Sequence, residues 1–214
     1  MCRITGFWDF KNSHPNNLLN QVEAMRDALV HGGPDDSGAY VDYSAGLALG
    51  HRRLSIIDLT KTGQQPMTHP SDRWVICYNG EVYNFKEIKN ELMTLGEHFK
   101  STSDTEVILH AWVRWGEKCL EKFRGMFAFA IWDKQEQQLT IVRDRMGVKP
   151  LYYYHHNNIF MFTSELKAFH QHPLFQKELN QDAVASFMTY GYVQGESAIF
   201  KYVYKLKPGT LLTI

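Results

Sequence analysis

The sequence predicts an α+β fold in which the strands form antiparallel sheets. Apolar and aromatic stretches of strand length come in pairs separated by short turns, which is the pattern of β-hairpins. Stretches with apolar residues at helical spacing are inserted in pairs between these hairpins. A parallel α/β sheet would instead alternate one strand with one helix along the chain.

The first third of the chain supplies a strand, a helix and a hairpin. Residues 2–8 form a short apolar stretch that predicts the first strand. Apolar residues at helical spacing predict a helix over 18–29, and the Gly-Gly-Pro run at 32–34 ends it. Two further strands are predicted within 38–52. Residues 60–72 are polar and rich in turn formers, which predicts a long loop.

The middle third supplies one buried strand and two helices. The strand covers 73–80 and ends in Asn-Gly, and an amphipathic helix is predicted over 84–96. A second helix is predicted over 101–116, where Ser103 and Glu106 have the three-residue spacing of a capping box.

The last third is dominated by two hairpins. Residues 126–133 and 138–144 flank a KQEQ turn, and residues 150–154 and 159–165 flank an HHNN turn. A short helix is predicted over 164–172, after which a helix and extended pieces follow.

Composition excludes several functional classes. Lys plus Arg and Asp plus Glu both number 23, so the chain lacks the basic excess of a nucleic-acid binder or of a protein attracted to anionic membranes. Hydrophobic residues make up 44%, as in ordinary globular domains, yet no apolar run is long enough to span a bilayer. The sequence therefore predicts neither a nucleic-acid nor a membrane partner.

The cysteines indicate a reducing environment. Cys2, Cys77 and Cys119 are far apart and odd in number, so they do not form a disulfide framework. No Cys or His residues have the paired spacing of a zinc site, and the sequence predicts no metal. Sparse free thiols fit the cytoplasm, which is the localisation we expect.

Cys2 directly follows the initiator methionine in MCRITGFW. A residue at the second position commonly has no function, and these eight residues alone favour that interpretation. The alternative is that removal of Met1 leaves Cys2 with a thiol nucleophile and a free α-amine that acts as its base.

Three other motifs each have a structural and a functional interpretation. The Asn79–Gly80 pair is either a turn or an oxyanion hole, in which an amide side chain and a backbone N–H stabilise developing negative charge. Arg53, in GHRRLSI, is either a surface charge or a bidentate ligand of a substrate carboxylate. Asp104 either caps a helix or binds a substrate ammonium. The functional interpretations together describe a pocket for a free amino acid.

Nine motifs in one order carry a family resemblance. They are CRITGFW, HGGPDDSG, GHRRLSIIDL, GQQPM, CYNGEVYNFKEIKNEL, SDTEVILHAW, FRGMFAFAIWD, RDRMGVKPLYY and SELKA. From residue 2 to about 170 they resemble the N-terminal glutaminase domain of bacterial glutamine-hydrolysing asparagine synthetases, a class II glutamine amidotransferase among the N-terminal nucleophile hydrolases. The resemblance implies a four-layer αββα sandwich, with two antiparallel sheets between helix layers.

The resemblance also implies roles for the candidate residues. Cys2 would be the nucleophile and its amine the base, with Asn79 and Gly80 as oxyanion donors. The residues implied to bind glutamine are Arg53 at its carboxylate, Glu81 and Asp104 at its ammonium, Asn79, and the backbone around Ile56. Hydrolysis by this mechanism needs no metal and no organic cofactor.

The resemblance divides the chain into two segments. Residues 2–179 correspond to the glutaminase domain, and residues 180–214 to a linker leading toward a C-terminal synthetase domain. Neither the Ser-Gly-Gly-x-Asp-Ser loop of that domain nor a P-loop occurs, so we expect this chain to hydrolyse glutamine without making asparagine. The implied partners are L-glutamine and the synthetase domain in cis, where ATP and Mg would serve to amidate aspartate with the ammonia. A homodimer stays open.

The chain departs from the family at two positions near the predicted site. Arg3 follows the nucleophile where the family has glycine or another small residue, and Gly32 stands in HGGPD where the family has arginine. We expect both segments to lie near Cys2, so that Arg3 restores part of the missing charge.

The sequence leaves three other functions open. Glucosamine-phosphate synthase and the phosphoribosyl amidotransferases share the mechanism, although GHRRLSIIDL and RDRMGVKPLYY favour the synthetase branch. Within that branch, the acceptor of the ammonia is either aspartate or a sugar acid in polysaccharide biosynthesis. Arg3 and Gly32 are also compatible with a weakly active or non-catalytic binding domain that retains the fold.

Overall fold

The structure is a computed structural model that describes residues 2–13, 15–55 and 61–214. Its strands are β1 (Arg3–Asp9), β2 (Asp36–Asp42), β3 (Leu47–Arg53), β4 (Met67–Thr68), β5 (Trp74–Val82), β6 (Gly125–Asp133), β7 (Gln138–Arg143), β8 (Tyr152–His156), β9 (Ile159–Thr163), β10 (Val203–Lys205) and β11 (Leu211–Thr213). Its α-helices are α1 (Leu18–Asp27), α2 (Phe85–Thr94), α3 (Asp104–Trp115), α4 (Cys119–Lys122) and α5 (Gln181–Tyr190). Short 3-10 helices cover Pro15–Asn17, Val30–Gly32, Lys61–Gly63, Gly116–Lys118 and Leu166–Gln171. None of the helices in these ranges has the length and apolar character needed to cross a membrane.

The strands form two sheets in which every pair of neighbours is antiparallel. The first sheet has the strand order β10-β8-β9-β1-β3-β2, and the second has the order β11-β7-β6-β5-β4. The hairpins predicted around the KQEQ and HHNN turns are β6–β7 and β8–β9, one in each sheet. The prediction of an α+β fold with antiparallel sheets is confirmed.

Three apolar layers hold the sheets and helices together. The layer between the sheets contains inward-facing residues of both, among them Ile4, Leu49 and Cys77. Helices α2, α3 and α4 cover the outer face of the second sheet. Helix α1 and the 3-10 helix Leu166–Gln171 cover the outer face of the first. The chain is therefore a four-layer αββα sandwich, as the resemblance implies.

The layer between the sheets ends in a polar margin. Alternate residues of a strand face the same side of a sheet, so the inward face of each strand can be followed two residues at a time. Ile4 in β1, Leu49 in β3 and Cys77 in β5 lie on this face. The residues two positions further toward the margin are Cys2, His51 and Asn79.

Strand β5 runs through the predicted Asn-Gly turn. It extends to Val82, and Asn79 and Gly80 both pair with β6. A Cβ at Gly80 would lie 2.5 Å from the oxygen of Met126 and 2.7 Å from the Cα of Phe127, so close packing against β6 requires glycine. The prediction that the strand ends at this pair is wrong, because sheet pairing overrides the local turn preference.

Helix α3 has half of the predicted capping box. Ser103 Oγ accepts a hydrogen bond from the Thr105 N–H at 3.1 Å, as an N-cap residue does. The Glu106 carboxylate does not return to Ser103, because it accepts hydrogen bonds from the N–H groups at 100–101 instead. The carboxylate therefore fixes the segment that leads into the helix.

Residues 180–214, expected to form a linker, contribute a strand to each sheet. Strand β10 pairs with β8 at the edge of the first sheet, and β11 pairs with β7 at the edge of the second. Sheet edges present unpaired backbone groups, which a further strand satisfies. The packed unit therefore includes these two strands.

His51 joins the two sheets at the polar margin. Its Nε2 lies 3.0 Å from the carbonyl oxygen of Tyr78, so a neutral ring with its proton on Nε2 donates across the sandwich. The Cys77 thiol donates to the carbonyl of Gly50 at 3.3 Å and makes a second contact between the sheets. Burial lowers the pKa of His51 to about 4, because the charged imidazolium would lose its hydration.

We expect His51→Gln to flatten the acid limb of the stability curve. Because the pKa of His51 falls from 6.5 to about 4 on folding, the stability it contributes is present above 6.5 and is lost as the pH falls through this window. The full loss is on the order of 3 kcal/mol for this residue. Glutamine keeps a donor for the Tyr78 carbonyl but does not titrate.

Denaturant unfolding at pH values above and within this window measures the effect. His98→Gln, at an exposed histidine, is the control and should keep the pH dependence of the wild type. If His51→Gln kept the same pH dependence as the wild type, a buried neutral His51 would be excluded.

Candidate active site

A cavity of about 80 Å³ opens at the polar margin between the sheets. It is bordered by the residues around β1 and β3, the second half of β5, the start of α3 and the segment before β8. The lining residues are Cys2, Arg53, Leu54, Gly63, Gln65, Tyr78, Asn79, Gly80, Glu81, Ser103, Asp104, Thr105, Met126 and Lys149. The structure thus brings together six of the seven candidate residues from the sequence. The seventh, Ile56, lies outside the described residues.

Cys2 lies immediately before β1, on the face that Ile4 continues into the layer between the sheets. Its Sγ is 3.4 Å from the backbone N of Leu54 and 3.6 Å from the Leu54 oxygen. Burial raises the pKa of the thiol, an effect opposed by the Leu54 contact and by the charges of Arg53 and Lys149. The thiol is therefore protonated at neutral pH and needs a base before it can act as a nucleophile.

Asn79 brings a buried amide to the same cavity. Its side chain is 1% exposed, and neither Oδ1 nor Nδ2 is hydrogen-bonded to any residue that the structure describes. A buried amide without a partner costs about 1–3 kcal/mol. The inward face of β5, two residues beyond Cys77, places this amide beside Cys2. The arrangement suits an amide that bonds to a group entering the cavity.

The backbone N–H of Gly80 is a second donor at this place. The N–H and C=O of Phe127, its partner in β6, bond instead to Asp144 on the far side of β6. Gly80 and Phe127 therefore form a non-hydrogen-bonded pair. The Gly80 N–H points away from β6, toward the outer edge of β5.

The neighbouring N–H groups on that edge are bonded to side chains. The Tyr78 N–H donates to Gln65 Oε1 at 2.6 Å, and the Val82 N–H donates to Asp104 Oδ2 at 3.2 Å. The Gly80 N–H lies between these two, and Gly80 itself lines the cavity. Asn79 and Gly80 can therefore direct two donors at one oxygen atom.

Charged side chains of both signs border the cavity. Arg53 ends β3 and Lys149 lies in the segment before β8, and both are buried. Glu81 follows the donor pair in β5, and the buried Asp104 begins α3. Burial raises the pKa of Asp104, although the Tyr78 hydroxyl donates to its Oδ2 at 2.7 Å. Two cations and two carboxyl groups around one small space suit a zwitterionic ligand.

Gln65 and Lys149 are cavity residues that were not among the candidates predicted from the sequence. Gln65, in GQQPM, accepts from the Tyr78 N–H and donates to Thr105 Oγ1 at 3.2 Å, so it ties the edge of β5 to α3. Lys149, in RDRMGVKPLYY, is positioned by Asp144, whose carboxylate accepts three N–H groups of this loop. Both residues lie in motifs that carry the resemblance, and this is the signal that could have identified them.

Arg3 and Gly32, the two departures from the family pattern, contact each other. A Cβ at Gly32 would lie 2.6 Å from Arg3 Cγ and 2.8 Å from its Nε, so the arginine occupies the space that a larger residue would need. The guanidinium pairs with Glu165 at 2.5 Å and donates to the carbonyl oxygen of Cys2 at 3.1 Å. Gly32 therefore lies against the residue that follows Cys2, and the idea that Arg3 restores part of the missing charge stays a prediction.

Comparison with known sequences gives a family match over the whole chain. The family model described as glutamine amidotransferase domain matches residues 1–214. Asparagine synthetase (glutamine-hydrolyzing) 3 of Bacillus subtilis is 37% identical over 216 residues, which cover 100% of this chain and 34% of the relative. Putative asparagine synthetase (glutamine-hydrolyzing) 2 of Methanocaldococcus jannaschii is 36% identical, with coverage of 97% and 42%. The chain thus spans less than half the length of the curated relatives it matches.

Solved structures show the same fold at low sequence identity. Glutamine phosphoribosylpyrophosphate amidotransferase from B. subtilis, complexed with ADP and GMP, matches with a TM-score of 0.67 at 18% identity, covering 100% of this chain and 47% of that one. A structure of the allosteric regulatory enzyme of purine biosynthesis matches with a TM-score of 0.69 at 19% identity and the same coverage. Because the family model spans the whole chain and relatives more than one third identical cover nearly all of it, the chain belongs to the glutamine amidotransferase domain family.

Proposed function

We propose that this chain hydrolyses glutamine to glutamate and ammonia, with Cys2 as the nucleophile. The observation that carries the proposal is the buried Asn79 amide, which has no hydrogen-bond partner among the described residues and shares a cavity with the Cys2 thiol. An oxyanion formed when Cys2 attacks a carbonyl would supply the partner that this amide lacks. Membership in the glutamine amidotransferase family supports glutamine as the source of that carbonyl.

Removal of Met1 would give Cys2 a free α-amine beside its thiol. An α-amine has a pKa of about 7.7–8.0, so part of it is neutral at neutral pH and takes the thiol proton. The sulfur then attacks the side-chain amide carbon of glutamine, and an electron pair moves to the carbonyl oxygen. Asn79 Nδ2 and the Gly80 N–H stabilise this oxyanion.

Collapse of the oxyanion releases ammonia. The protonated amine gives its proton to the amide nitrogen, the carbon–nitrogen bond breaks, and a γ-glutamyl thioester remains on Cys2. Water then attacks the thioester carbon, with the amine taking a proton from the water. The carbon–sulfur bond breaks, glutamate leaves, and the proton returns to the sulfur. Neither half of the reaction requires a metal or an organic cofactor.

The charges around the cavity suit the α-carboxylate and α-ammonium of glutamine. Arg53 is assigned to the carboxylate, because a planar guanidinium can bind both of its oxygens. Glu81 and Asp104 are assigned to the ammonium. Burial raises the pKa of Asp104, and an ammonium beside it would lower that pKa again. The carboxylate and the ammonium would then pair in their charged forms. The family resemblance adds the backbone around Ile56.

We also propose that the ammonia is used by a synthetase domain. Relatives that cover nearly the whole chain are named asparagine synthetases, and the matched region is 34% of one and 42% of another. The resemblance implies that such a partner domain, in cis, amidates aspartate with ATP and Mg. This chain would supply the ammonia, and the cytoplasm would supply the glutamine.

Loss of either reactive group of Cys2 should abolish the reaction. Cys2→Ala should reduce ammonia release from glutamine to background without unfolding the chain. A chain that retains Met1, verified by mass spectrometry, should lose activity to nearly the same extent, because its amine at Cys2 is tied up in a peptide bond. Circular dichroism checks that both proteins are folded.

The pH dependence of the processed protein adds a second test of the base. Its activity should rise with pH through about 7.7–8.0, where an α-amine loses its proton. Glutamine hydrolysis at the normal rate by the chain that retains Met1 would exclude the amine as the base.

Asn79→Ala should lower kcat by about 10²–10³-fold, the typical cost of removing one oxyanion donor. The KM for glutamine should change little, because the donor acts mainly on the charge that develops in the transition state. Asn79→Asp keeps the size but adds a negative charge, and it should be at least as inactive. A raised KM with normal kcat would instead assign Asn79 to ground-state binding.

Exchanging the residues at positions 3 and 32, so that arginine stands at 32 and glycine at 3, tests whether Arg3 positions the nucleophile. Gly32→Arg alone should displace the Arg3 side chain from Glu165 and from the Cys2 carbonyl, and lower kcat by on the order of 10- to 100-fold through misplacement of the thiol. Adding Arg3→Gly should restore most of the activity, because one guanidinium again occupies the space. A double variant no better than Gly32→Arg would show that the two positions are not coupled.

A further inference from the structure

We propose that the chain has a second site, in which His69 and His110 bind a divalent cation of the zinc type and the Glu97 carboxylate orients His110. One ligand atom from each of these side chains lies within 4.8 Å of the other two. None of the three lines the cavity around Cys2. Imidazole is a typical zinc ligand, and water completes the coordination where the protein leaves a position open.

Three separate elements bring these side chains together. His69 lies in the turn between β4 and β5, where its N–H donates to the oxygen of Trp74 at 2.8 Å. Glu97 follows α2, and its N–H donates to the oxygen of Leu92 at 3.1 Å. His110 lies in the middle of α3. The backbone therefore fixes all three positions independently of any bond between the side chains.

His110 has one ring nitrogen oriented and the other unpaired. The side chain is 2% exposed, and its Nδ1 lies 2.8 Å from Glu97 Oε2. Its Nε2 is buried and has no hydrogen-bond partner in the part of the chain that the structure describes. When Nδ1–H donates to the Glu97 carboxylate, Nε2 carries the lone pair. A carboxylate on one nitrogen is the usual support for a histidine that binds zinc through the other.

His69 presents a second unpaired nitrogen to the same region. Its Nε2 is also buried without a partner among the described residues, and its ring centroid lies 4.7 Å from that of His110. The Ser71 N–H donates to His69 Nδ1 at 3.2 Å, and Ser71 Oγ lies 2.8 Å from the same nitrogen. Binding a metal through Nε2 moves the ring proton to Nδ1, which then donates to the Ser71 hydroxyl in place of accepting the Ser71 N–H.

The surroundings of His69, Glu97 and His110 favour a cation over a neutral occupant. A bridging water could also satisfy two ring nitrogens and is the rival occupant. Glu97 favours the metal, because it adds the negative charge that a dication needs.

A cation here would connect two elements that also form the active-site cavity. Helix α3 begins at Asp104, and the turn that carries His69 leads into β5, which carries Asn79. Linking the turn to the helix would brace the second sheet against its helix layer. The cation would therefore act on stability, as structural zinc does, without contacting the substrate.

Zinc uptake by the chelator-treated chain tests the proposal. Equilibrium dialysis followed by metal analysis should find about one zinc per chain. The unfolding temperature should rise with zinc, because a ligand bound only by the folded state stabilises it. Cys2→Ser should take up zinc as the wild type does, which excludes the Cys2 thiol as the ligand. Magnesium at the same concentration should change nothing, since it prefers oxygen ligands.

Substitutions of His69 and Glu97 test whether these residues form the zinc site. His69→Gln should weaken zinc binding by about 100-fold or more and remove the thermal shift, and Glu97→Gln should weaken it by about 10- to 100-fold. The matched control His98→Gln changes an exposed histidine next to Glu97 and should leave zinc binding unchanged. No zinc uptake by the wild type, or uptake by a folded His69→Gln as tight as by the wild type, would overturn the proposal in favour of a bridging water.

Discussion

The packing of two sheets across one apolar layer is the constraint on which the active site depends. Because alternate residues of a strand share a face, burial of Ile4 and Cys77 in this layer fixes the direction of every other side chain in β1 and β5. The same faces, continued to the margin of the layer, place Cys2 beside Asn79. A slip of one residue in β5 would turn Asn79 toward the helices, where Tyr78 now packs.

The outer edge of β5 shows how a strand can present a backbone N–H to a cavity, as the proposed oxyanion role of Gly80 requires. Strand β4 pairs only with residues 75–76 of β5, so side chains bond to the N–H groups farther along this edge. Gln65 accepts the Tyr78 N–H and Asp104 accepts the Val82 N–H, on either side of Gly80. The Gly80 N–H between them is left directed at the cavity. Gln65 also donates to Thr105 in α3, and Asp104 is the first residue of that helix. The hydrogen bonds on either side of the Gly80 N–H therefore also attach the helix layer to the sheet.

Protonation equilibria and charge pairing complete the environment of the thiol. Burial raises the pKa of Cys2, whereas Arg53 and Lys149 stabilise the thiolate once the proton is removed. Arg3 holds the backbone of Cys2 from the opposite face of β1, where it pairs with Glu165. This arrangement keeps the Cys2 thiol protonated at rest and fixed in position, so in the proposed reaction its activation depends on a base placed directly beside it.

The sequence by itself determined the paired strands, most helices and the motifs that meet at Cys2, because periodicity and short spacing are local properties of the chain. The tertiary structure decided that Asn79–Gly80 continues a strand, since only pairing with β6 overrides the local turn preference. The tertiary structure likewise placed Gln65 in the cavity wall, bonded to the edge of β5, and brought His69 into contact with His110. Those contacts join segments far apart along the chain, and a local pattern does not specify which distant segment packing will place beside a given side chain.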